Sequence, residues 1–126
     1  MKHLPTIARY LLGLIFVVFS LNFWLHFLPI PPQPEGTPAA NFSGAMYGSG
    51  YLTLVKVLEL VGGLLLLSGR FVNLGLALLG PIVVNIALFH VFLAKEGYPM
   101  TAVLGVLALV ALAGRKDFVK TLLAAK

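Results

Sequence analysis

The chain has 126 residues, 60% hydrophobic and 10% charged, with a net charge of +5 and no cysteine. A soluble domain carries roughly 25% charged residues, and a chain this short cannot hide so much apolar surface, so a bilayer is the expected solvent. The missing cysteine excludes thiol–disulfide chemistry, iron–sulfur ligation and cysteine-bound zinc on this chain, and scattered basic residues without interleaved aromatics argue against nucleic acid as a partner.

Four apolar segments define one all-α membrane domain over 1–126, expected as a four-transmembrane-helix bundle. Segment one covers about 5–28 and segment two about 51–69, each able to cross roughly 30 Å of hydrocarbon as a helix. Segment three covers about 71–94. Segment four, about 98–114, is at the short end of the spanning range, and Pro99 suits its first turn. The first run is longer than the apolar part of a signal peptide, and no A-x-A site follows closely, so it is expected to be a retained span.

Between segments one and two lies the 29–50 loop, proline-rich and extended in its first half. Thr37 as cap and Pro38 at the first helical position predict a short helix over about 38–48. It is expected to lie at the interface or partly re-enter as a lid, with Phe42, Met46 and Tyr47 on its apolar face and Asn41 and Ser43 toward water or headgroups. Gly44 and Gly48 form a GxxxG pair that would permit close helix approach.

Charge orients the spans. Lys2, Arg9, Arg70, Arg115, Lys116, Lys120 and Lys126 fall on one side, and only Lys95, beside Glu96, falls in a loop on the other. By the positive-inside tendency both termini, including the 115–126 tail, are cytoplasmic and the 29–50 loop is external, as expected for a bacterial inner-membrane protein. Tyr10, Trp24, Tyr47, Tyr51 and Tyr98 stand near the predicted boundaries, as an aromatic belt would.

That orientation gathers the polar residues at one depth. Asn22 and His26 of segment one, Lys56 and Glu59 of segment two, and Asn85 and His90 of segment three would lie roughly 5–15 Å below the outer boundary. Asn22 and His26 share a face at four residues' spacing, and Lys56 and Glu59 at three. Asn85 and His90 are about 140° apart on an ideal helix, a mismatch that a bend at Pro81 would relieve. Lys56 can snorkel, whereas Glu59 must be protonated, paired with Lys56 or hydrogen-bonded to a neighbouring histidine. Such intramembrane charge points to a ligand or proton-handling site, with a structural polar clasp as the plain alternative. Gly62 and Gly63, three and four residues after Glu59, make the same face open to another helix. No H-x-x-x-H spacing supports a metal site, and no nucleophile–base pair, phosphate loop or carboxylate pair supports hydrolysis or phosphoryl transfer.

The stretches "ARYLLGLIFVVFSLN" and "LELVGGLLLLSGRFVNLGLALLGPIVVN" resemble the DoxX family of small four-helix membrane proteins. The resemblance is carried by Arg9, Gly13, Glu59, Gly62, Gly63, Gly69 and Arg70. It implies a four-helix bundle and, from some relatives, association with membrane redox complexes, including a thiosulfate:quinone oxidoreductase subunit. Ser20 stands where relatives often carry glycine and Asn22 where many carry lysine, so charge pairing across the first two spans stays open. No redox-active side chain is present, so a redox role would require a bound quinone, another cofactor or a partner subunit.

The expected function is therefore binding of a small amphipathic molecule, quinone- or lipid-like, in the outer-leaflet polar pocket, by a protein that is not an enzyme on its own but could be an accessory subunit of a redox complex. The alternatives are a structural or assembly partner, a homo-oligomer included, and a small proton or solute transporter. No covalently bound cofactor is expected.

Overall fold

A computed structural model describes residues 2–29 and 32–124; Lys126, counted above among the basic residues, lies outside them. The structure is helical, with no strand among the described residues. Helix α1 (Leu4–Leu25) carries Pro5 in its first turn, where the missing N–H costs no hydrogen bond. It stops short of position 28 because His26 takes a left-handed conformation (φ 52°) and donates its N–H to the Asn22 carbonyl. Helix α2 (Pro38–Ser49) starts at Thr37, whose hydroxyl oxygen accepts from the Ala40 N–H at 3.2 Å. Gly50 (φ 84°) turns the chain directly into α3 (Tyr51–Ser68), a sign of φ that only glycine takes without strain.

After a turn at Gly69 the chain forms α4 (Val72–Leu88), which contains Pro81 and continues as a π-helical segment, Phe89–Ala94. Helix α5 is Tyr98–Ala113. The 115–126 tail, expected only as a tail, forms a short amphipathic helix α6 (Lys116–Leu123) with Phe118 turned onto the core.

Helix α1 packs against α3 and α5, and α4 packs against both of these in turn. The shared core is Ala8, Leu12 and Phe16 of α1, Leu66 of α3, Val72, Leu76, Leu79 and Val83 of α4, and Leu104 and Ala111 of α5. Two glycines set how close α3 comes to its neighbours. A Cβ on Gly63 would stand 2.9 Å from the Gly13 carbonyl oxygen, and a Cβ on Gly62 would stand 2.7 Å from Leu79 Cγ. The glycines of "VGG" therefore serve two interfaces, Gly63 toward α1 and Gly62 toward α4. The Gly44–Gly48 pair is different: a Cβ at either would meet nothing within 4 Å, so no helix packs on it.

Three helices, Leu4–Leu25, Tyr51–Ser68 and Val72–Ala94, are long and apolar enough to cross a membrane, and Tyr98–Ala113 is a shorter apolar helix. Their outward faces carry exposed Leu14, Leu54, Leu64, Leu74, Val84 and Leu109. In water, so much exposed apolar surface would drive aggregation; in lipid it is ordinary solvation. This is a helical membrane protein. Tyr10, Trp24, Tyr47, Tyr51 and Tyr98 are all exposed.

Candidate ligand-binding site

Helices α2, α3 and α4, with the π-helical segment, line a half-open cavity of about 590 Å³. That volume is within the roughly 300–1,000 Å³ of small-molecule sites. From α3 come Leu52, Val55, Lys56 and Glu59; from α4 and its π-helical extension come Ile82, Asn85, Ile86, Phe89 and His90. Helix α2 supplies Phe42, Ser43, Ala45 and Met46. The walls are mostly aliphatic and aromatic, with a few polar groups on the α3 and α4 sides.

Lys56 Nζ and Glu59 Oε2 are 3.4 Å apart, one helical turn along α3. Glu59 is buried, whereas the Lys56 side chain is 21% exposed. Glu59 is thus held inside the protein beside Lys56, and both residues line the cavity. Across from them, Asn85 donates through Nδ2 to the Pro81 carbonyl at 3.0 Å, which leaves its side-chain oxygen as an acceptor at the exposed rim.

His90 is fixed by two contacts. Its Nδ1 is 2.8 Å from the Ile86 carbonyl, and its ring presses against Gly97, where a Cβ would stand 3.0 Å from Nε2. A carbonyl only accepts, so Nδ1 carries the proton and Nε2 of the neutral ring is an acceptor. Gly97 has φ 77°, a second reason for glycine there. The Phe89 ring lies between two others, with centroids 5.2 Å from His90 and 5.7 Å from Phe42. That aromatic contact fastens α2 to the π-helical segment, and Tyr47 fastens it to Phe23 of α1 at 5.9 Å.

Of the six residues singled out by sequence, the structure brings Lys56, Glu59, Asn85 and His90 around one cavity. Asn22 and His26 are not among them. Asn22 turns back onto its own chain, with Oδ1 accepting from the Leu28 N–H at 2.7 Å and Nδ2 donating to the Leu28 carbonyl at 3.4 Å. It closes the end of α1, because the chain leaves the helix early. His26 occupies the left-handed cap and is exposed. The polar band thus spans two long helices, α3 and α4, instead of three.

Asn85 and His90 reach the same cavity although five residues apart. The departure from regular α-helix lies at Phe89–Ala94, about two turns beyond Pro81, where the helix widens into i→i+5 geometry. Ser43, expected to face water, is half-buried and lines the cavity. Sequence reasoning also passed over Ile82, Ile86 and Phe89, although their 82–86–89 spacing marks one helical stripe.

No protein-family profile matches the chain, and no solved structure matches it. It is similar to glycerol-3-phosphate acyltransferase 1 of Bacillus thuringiensis subsp. konkukian and of Bacillus cereus, at 29% identity over 68 residues. The same enzyme of Bacillus anthracis matches over a stretch of the same length. That stretch is 54% of this chain and 37% of the Bacillus thuringiensis protein, so the chain spans little more than a third of the length of these relatives.

Proposed function

We propose that the chain is a DoxX-like protein of the bacterial inner membrane: a four-span bundle, both termini cytoplasmic, with α2 as a lid in the outer interface. Its cavity takes the polar head of a small amphipathic molecule, quinone- or lipid-like, while the apolar walls hold the body. One observation carries this reading. The cavity of about 590 Å³ is walled mainly by side chains such as Phe42, Met46, Val55, Ile82 and Ile86, and only Tyr51, Lys56, Glu59, Asn85, His90 and two serines of α2 offer polar side chains.

The division of labour follows from those groups. Lys56 supplies donors to a carbonyl or phosphate oxygen, and Glu59, 3.4 Å away, holds it in place. His90, its Nδ1 held by the Ile86 carbonyl, lines the cavity beside them. Gly13 meeting Gly63, and Arg9 lying beside Gly69, give a packing reason for residues that carry the DoxX resemblance to occur together. The relatives' name concerns glycerol 3-phosphate and acyl groups, which favours a lipid-like ligand over a quinone. An accessory role in a redox complex would draw its electron carrier from the bound ligand or a partner.

The reading of the polar residues as a packing clasp has one observation in its favour: Lys56 and Glu59 already satisfy each other. Transport is less favoured, because Phe16, Leu66, Leu76 and Leu79 fill the core of the helices. Native mass spectrometry of the full chain from mild detergent tests the proposal. A retained amphipathic molecule is expected on the wild type and not on Ala45→Trp, which fills the cavity from the lid. A fixed protein partner with no small molecule would support the clasp instead.

A further inference from the structure

Arg9 and Arg115 are far apart in sequence yet line one recess of about 260 Å³, with Pro5, Thr6, Val72 and Gly114. They meet because α5 ends beside the start of α1, where Gly114 leaves no side chain against Pro5. The recess lies at the opposite end of the helices from the Lys56–Glu59 cavity. Both arginines are half-buried, and among the described residues neither forms an ion pair. Arg9 lies over the Tyr10 ring at 4.5 Å and beside Gly69, contacts that orient the guanidinium without neutralising it.

Two arginines lining one recess bring like charges together, a repulsion that an anion bound there would offset. Asp117, the one acidic side chain of this end, is exposed and forms no ion pair among the described residues, whereas Lys2, Arg70, Lys116 and Lys120 add further positive charge. Paired arginine forks match the oxygens of a phosphate. The volume is below the roughly 300 Å³ at which drug-sized sites begin, so it suits one anionic group and no larger body. Beside it, α6 turns Phe118 onto the core and leaves Leu122 and Leu123 exposed, as a helix lying among lipid headgroups does.

We propose that Arg9 and Arg115 form a phosphate-binding site at this end of the protein, occupied by the phosphodiester of an anionic phospholipid or by free phosphate. Basic pockets between helices at the membrane surface take anionic headgroups in this way. The site is independent of the cavity reading, since it shares no residue with it.

The test uses the full chain in phosphatidylcholine nanodiscs doped with phosphatidylglycerol, with retained phosphatidylglycerol counted by native mass spectrometry. Arg9→Gln with Arg115→Gln is expected to weaken retention about tenfold or more, as lost charge-assisted hydrogen bonds do. Arg9→Lys with Arg115→Lys keeps the charge without the fork and should fall between. If inorganic phosphate displaces the lipid and raises the melting temperature in pure phosphatidylcholine, the site stands with free phosphate as its occupant. Arg115→Gln alone serves if the double variant does not fold. Unchanged retention in the glutamine variants with no effect of phosphate overturns the proposal. So does an equal loss in Arg70→Gln with Lys116→Gln, which removes charge outside the recess.

Discussion

Lys56 and Glu59 form an ion pair, 3.4 Å between Nζ and Oε2, with Glu59 buried and both residues lining the cavity. Lys before Glu is the weaker order for a pair on an isolated helix. Removing one partner leaves the other uncompensated, which costs about 3–5 kcal/mol in a fully buried pair. The exposure of Lys56 brings the expected loss to the lower end of that range or below. Glu59→Leu and Lys56→Met should each lower thermal stability in detergent, and the two combined should recover much of it. Equal, additive losses in this double-mutant cycle would show that the two residues do not interact.

The glycines make opposite predictions at two places. Gly63→Ala places a methyl 2.9 Å from a backbone oxygen of α1 and from Val17 Cγ2, so α1 and α3 must separate. Overpacking of this kind costs about 1–3 kcal/mol. Gly44→Ala meets nothing and replaces a poor helix former inside α2, a gain of about 0.5–1 kcal/mol. Thermal melts of the two variants check the contrast, and destabilisation by both would contradict it.

Asn22→Ala separates the end of α1 from the cavity. It removes the acceptor of the Leu28 N–H, a bond of 2.7 Å, and should cost about 1–2 kcal/mol. Amide exchange at Leu28 should speed up while ligand retention stays at the wild-type level. Lost retention without faster exchange would return Asn22 to the site.

Much of this arrangement is legible in the sequence, for physical reasons that also mark where legibility stops. Proline and threonine announce helix starts, so Thr37–Pro38 predicts α2 to within a residue of its observed span. The three-residue spacing of Lys56 and Glu59 places them on one face with no tertiary information. Asn22 is the counterexample. A buried asparagine serves equally as a link between helices or as a cap, and which it becomes depends on where the helix stops, here set by the left-handed His26. The π-helical segment has no spacing signature, so the approach of His90 to Asn85 was visible only as a mismatch. Arg9 and Arg115 gave no local signal, because the packing of α5 on α1 is what joins them.

Orientation has its own check. Single cysteines introduced at Ser43 of α2 and Ala124 beyond α6 should react with a membrane-impermeant maleimide from opposite sides in oriented vesicles. Labelling from one side would remove the outer-leaflet placement of the cavity and leave its chemistry intact.

The most direct test of the central claim is the affinity of an amphipathic probe for the Lys56→Met, Glu59→Leu protein, whose fold is expected to be restored. A short-chain quinone and a lysophospholipid are titrated in parallel against this variant and the wild type. If the pair is part of a binding site, the better probe should bind the variant about tenfold or more weakly, the loss expected when a charged hydrogen-bond partner is removed. Equal affinity in a protein of recovered stability would mean that Lys56 and Glu59 clasp helices and bind nothing.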